Sequence, residues 1–132
     1  MSRSSRYALV AGAAVAIACG GSAREAFAIK QFFDEFKAIY VKPDSGDTAE
    51  KALVAEVETA KCNVCHVGSV KKDRNAYGNA LADRLDKKED AKNVEKIKKA
   101  LEEVAALPSD PAKPDSPTFG ALLKAGKLPI AK

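Results

Sequence analysis

"KCNVCHVG", Lys61 to Gly68, holds two cysteines three positions apart, with the only histidine in the chain directly after the second. The stretch ends a segment with helical spacing. On one helical turn, residues three and four apart face the same way. Cys62, Cys65 and His66 are therefore expected to present two sulfurs and an imidazole on one side of a turn. C-x-x-C-H in this form is read as an attachment site for a c-type haem. Cys62 and Cys65 would each form a thioether with a vinyl group of the porphyrin. His66 would be the axial ligand of the iron.

Other chemistries use the same residue types. A structural zinc site takes about four ligands, usually from two separated pairs, and no second Cys or His pair exists here. A thioredoxin-type pair belongs beside a βαβ unit, and no strand pattern is visible. A plain disulfide between Cys62 and Cys65 remains open at this point.

Upstream, Arg3 and Arg6 precede an uncharged apolar run, "YALVAGAAVAIAC", Tyr7 to Cys19. "AFA", Ala26 to Ala28, offers small residues at the −3 and −1 positions of a cut before Ile29. Charge, apolar run and small-residue site in that order describe a secretory signal peptide over residues 1–28. The run is shorter than the roughly 20 residues that span a bilayer, so a membrane role is expected only through an uncleaved signal segment. The expected location is the periplasm, or another exported site. Cleavage removes Arg3, Arg6, Arg24 and Glu25, lowering the formal charge of +4 by two. It also removes Cys19 and the only methionine, Met1. The near-neutral remainder, with aromatics at 6%, lacks the basic, aromatic-interleaved stripe of a nucleic-acid binder.

The remaining residues, 29–132, read as one all-α domain of four to five helices around the haem. "IKQFFDEFKAIY" puts Phe32, Phe33, Phe36, Ile39 and Tyr40 on one face. Asp47 or Thr48 caps the next helix, whose stripe of Ala49, Leu53, Val57 and Ala60 runs into the cysteine motif. Asn75 caps "AYGNALADRL", where Tyr77, Leu81, Arg84 and Leu85 share a face. The longest helix is expected in "DAKNVEKIKKALEEVAAL", from Asp90. Residues 108–117 form a proline-rich connector. Ser116 and Pro117 would open a short last helix, stopped at Gly126.

With the motif and helices in view, the chain resembles a single-haem c-type cytochrome. "KCNVCHVGSVKKDRNAYGNALADRL" and "SPTFGALLKAGKLP" are similar to small exported cytochromes of planctomycete bacteria. The resemblance implies one covalent haem c and single-electron transfer between redox protein partners, with no catalytic residues. Lys71, Lys72 and Arg74 would ring the haem edge and steer an acidic partner. Electron carriers of this kind commonly place a methionine opposite the histidine, and the mature chain has neither a methionine nor a second histidine. Methionine sulfur raises the potential, so a lower one is expected here. The sixth position is left to water, an asparagine, the new amino terminus at Ile29, or a side chain such as Lys127 or Tyr77. An open site would instead suit a small-ligand sensor or scavenger for nitric oxide or carbon monoxide, or a weak peroxidase. A haem subunit of a larger redox complex is a further alternative.

Overall fold

The computed structural model describes residues 23–70 and 72–130. It contains five α-helices: α1 (Ala23–Tyr40), α2 (Thr48–Ala60), α3 (Ala76–Ala82), α4 (Val94–Ala105) and α5 (Phe119–Lys124). A 3₁₀ turn, Lys61–Val64, continues α2. Among the described residues there is no strand, only the isolated bridges His66–Arg74 and Pro108–Thr118. The domain is all-α, as the helical spacing predicts. The expected signal run lies outside the described residues, and the expected cut before Ile29 falls inside α1. Among the described residues no helix is long and apolar enough to cross a membrane.

Side-chain caps set most of the helix starts, because the first backbone N–H groups of a helix have no intrahelical partner. The Asp47 carboxylate accepts from the N–H groups of Ala49 and Glu50 at 2.8 and 3.0 Å. Asn75 caps α3 through the Gly78 N–H at 2.9 Å. Two boundaries differ from the sequence expectation. α4 begins at Val94 rather than Asp90, because the Asp90 carboxylate accepts from the Asp86 N–H at 2.8 Å and holds a turn, leaving Asn93 as the cap. The longest helix is therefore α1 rather than α4. α5 is capped by Thr118 rather than Ser116, whose hydroxyl accepts from the Asp110 N–H at 3.0 Å. That contact and the Ser109 N–H donated to the Pro117 carbonyl at 2.9 Å fold the proline-rich connector into a closed loop.

The core is made of Phe36 from α1, Leu53 and Val57 from α2, Tyr77 and Leu81 from α3, Ile97, Leu101 and Val104 from α4, and Phe119 and Leu123 from α5. Tyr77 stands at its centre. Its ring meets Phe36 and Phe119 edge-on, at centroid distances of 6.0 and 5.1 Å, a favoured aromatic geometry. The Tyr40 hydroxyl donates to the Leu101 carbonyl at 3.2 Å and ties α1 to α4. The helices thus close a core of side chains, and the motif lies at its flank.

Candidate functional site

α2 ends at Lys61, whose φ of 48° and ψ of −112° break the helix. A lysine in that region is uncommon and carries backbone strain. The strain buys a tight turn. The N–H groups of Cys65 and His66 both donate to the Cys62 carbonyl, at 3.3 and 3.1 Å. Cys62, Cys65 and His66 are thereby gathered on one turn.

The start of α3 clamps this turn from the other side. The Asn75 amide donates to the Val64 carbonyl at 2.9 Å, and the Asn75 backbone N–H donates to the Cys65 carbonyl at 3.1 Å. Gly78 completes the clamp, because a Cβ there would collide with the Cys65 carbonyl. Between His66 and Arg74 the chain folds back on itself, with the Val67 N–H on the Asp73 carbonyl at 2.9 Å. Asn75 is therefore both the expected cap and a brace for the motif.

Beside the motif opens a cleft of about 620 Å³. Its walls are apolar: Phe32, Phe33 and Phe36 from α1, and Leu81 and Leu85 from α3 and the turn after it. Cys62, Cys65 and His66 lie along it. Its polar lining is almost entirely cationic, with Lys30, Lys61, Arg74, Lys87 and Lys88 against Asp86 alone. Elsewhere some basic side chains meet carboxylates, as in Lys96–Asp90 at 2.7 Å and Lys42–Glu50 at 3.0 Å, and others, such as Lys51 and Lys98, form no salt bridge among the described residues. Among the described residues no salt bridge involves a cation of the cleft. Asp86 is engaged with its own turn. Its carboxylate accepts from the N–H groups of Lys88 and Glu89 at 2.7 and 3.0 Å, and these bonds hold its pKa below the usual carboxylate value.

Both cysteines are free thiols, Cys62 exposed and Cys65 partly buried. Burial pushes the Cys65 thiol up to about 12, so at neutral pH it is protonated. Among the described residues no group of three or more His, Cys, Asp or Glu could hold a metal ion. The donor set fits a flat apolar cofactor with anionic substituents. The phenylalanines and leucines would take its faces, the thiols and imidazole would hold it, and the free cations would meet its charge.

The other sequence candidates are placed differently. Tyr77 is fully buried in the core, not along the cleft, and its hydroxyl is enclosed without a hydrogen-bond partner. The ring is wedged between Phe36 and Phe119, so Tyr77 belongs to the core rather than to the lining of the cleft. Lys127 is exposed and follows Gly126, which packs against Ala49 at the first turn of α2. The motif lies at the far end of that helix, roughly 18 Å away at 1.5 Å per residue. The structure does not bring Lys127 to the cysteines. Arg74 lines the cleft, Lys72 is exposed on the loop beside it, and Lys71 lies outside the described residues. Sequence reasoning missed Lys30, Lys87 and Lys88. The doublet directly after the Leu81–Leu85 stripe was the available signal.

Fold and cleft together define a small all-α domain with a thiol–imidazole turn beside an apolar, cation-lined cleft. No protein-family model, no curated protein and no solved structure matches the chain.

Proposed function

We propose that the protein is an exported single-haem c-type cytochrome that passes single electrons between protein partners. The observation that carries this is the position of Cys62, Cys65 and His66 beside a cleft with phenylalanine and leucine walls. Cys62 and Cys65 would hold the haem through thioethers, and His66 would ligate the iron. Bound haem would supply reversible one-electron chemistry at iron. The chain's contribution is to attach it, exclude water from its faces with Phe32, Phe33, Phe36, Leu81 and Leu85, and set its potential through ligand, burial and charge. The cations that line the cleft would favour an acidic partner and fast, salt-sensitive encounter.

One observation favours a second role, small-ligand binding. No methionine or second histidine exists in residues 29–132, and of the named candidates neither Tyr77 nor Lys127 lines the cleft. Voltammetry and carbon monoxide binding test the two roles together. An electron carrier gives a reversible one-electron wave and slow or no carbon monoxide binding to the reduced form. Immediate, stoichiometric carbon monoxide binding would replace the carrier role with the ligand-binding one.

A further inference from the structure

We infer that Lys87 and Lys88 form an anion subsite for the two propionate carboxylates of the bound haem, an assignment that rests on the covalent haem proposed above. A porphyrin of this kind carries its vinyl groups on one edge and its propionates on the opposite edge. Thioethers at Cys62 and Cys65 fix the vinyl edge at the motif, so the carboxylates must lie at the far end of the cleft. α3 leads from the motif toward the two lysines. Gly78 touches the Cys65 carbonyl. From Gly78 to the end of α3 at Ala82 the chain advances about 6 Å at 1.5 Å per residue. Beyond α3, one further turn is closed by the Leu85 N–H, which donates to the Leu81 carbonyl at 3.0 Å. Asp86, Lys87 and Lys88 follow that turn in sequence and line the cleft.

Both lysines are positioned for such a role. Lys87 is half-buried, and among the described residues neither it nor Lys88 has an ion pair. Asp86 stays ionised and its charge acts on Lys88, but it forms no close ion pair with either lysine, because its carboxylate accepts from the backbone N–H groups of Glu89 and Lys88. The turn that presents them is built rather than loose. Asp90, itself 5% exposed, accepts from the Asp86 N–H at 2.8 Å and from the Lys96 ammonium at 2.7 Å. Of the remaining charged groups along the cleft, Lys61 adjoins the motif in sequence, Arg74 meets His66 through an isolated backbone bridge, and Lys30 comes from α1.

The test is the midpoint potential of the holoprotein across pH, for wild type, Lys87→Gln/Lys88→Gln and a control with the same charge change, Lys51→Gln/Lys98→Gln. An ionised propionate favours ferric iron, and a lysine beside it offsets that charge and keeps the acid ionised. Removing both lysines should lower the potential at neutral pH. The rise in potential on acidification, which reports propionate protonation, should move up by about one pH unit or more. The control pair lies on the exposed faces of α2 and α4 and should move neither. The mass of one attached haem should persist in all three proteins. A Lys87→Gln/Lys88→Gln profile that overlays the control overturns the subsite while leaving covalent haem intact. Wild type that carries no haem overturns both proposals.

Discussion

A single backbone carbonyl, that of Cys65, decides how the motif can be held. It accepts the Asn75 N–H at 3.1 Å and leaves no room for a side chain at position 78. Gly78→Ala should therefore push the motif away from α3. Overpacking of this type costs about 1–3 kcal/mol, read as a lower denaturation midpoint, and haem attachment should fall with it. Stability equal to wild type would show that the clamp is looser than described. Tyr77 gives the opposite expectation. Its hydroxyl is buried without a partner, and an unsatisfied buried donor is a liability. Tyr77→Phe should leave stability unchanged or raise it by up to about 1 kcal/mol, with no change in the holoprotein absorption spectrum. A clear loss of stability, or a shifted spectrum, would return Tyr77 to the candidates for contact with the proposed haem.

The turn between α3 and α4 is an element with its own pH dependence. The Lys96 ammonium, and next the Asp86 backbone N–H, hold the Asp90 pKa below its ordinary 3.8. A depressed carboxylate stabilises the fold above its unfolded value, and that contribution is lost as pH falls from about 3.8 through the lower folded value. Wild type should lose stability in that window. Asp90→Asn should be less stable at neutral pH and show a shallower loss on acidification, measured by urea unfolding at several pH values. Parallel curves for the two proteins would mean that Asp90 does not hold the turn. The same residue marks where the sequence was hard to read. Asp90 to Asn93 continue the charged pattern ahead of Val94, so they look helical, and only the contacts of Asp90 across the turn show that they are not. Caps whose partners lie two or three residues ahead, Asp47 and Asn75, were legible for that reason. Thr118 was not, because Ser116 and Pro117 offered an equally good local start. Lys127 stood beside a readable glycine stop, yet which helix that stop packs against depends on tertiary contact with Ala49. The motif itself needed no tertiary information, whereas the cations facing it from α1 and from the turn after α3 did.

At the scale of the whole molecule, the side-chain core and the cleft are distinct. Phe36, Tyr77 and Phe119 pack with the aliphatic residues of α2, α4 and α5 into a closed interior, and the cleft borders it through Phe36. A domain of this size buries a modest fraction of its surface, and a covalent haem against Phe32, Phe33, Leu81 and Leu85 would add apolar contact where the protein alone leaves an open slot. The central claim is therefore that Cys62 and Cys65 carry a haem. The most direct measurement is the intact mass of protein produced in cells with haem-attachment machinery, followed by acid–acetone extraction. The predicted result is a polypeptide beginning at Ile29 plus one haem, with the pigment remaining on the protein, and at most one thioether in Cys65→Ala. A folded, colourless protein at the bare polypeptide mass, with both thiols open to alkylation, would contradict it.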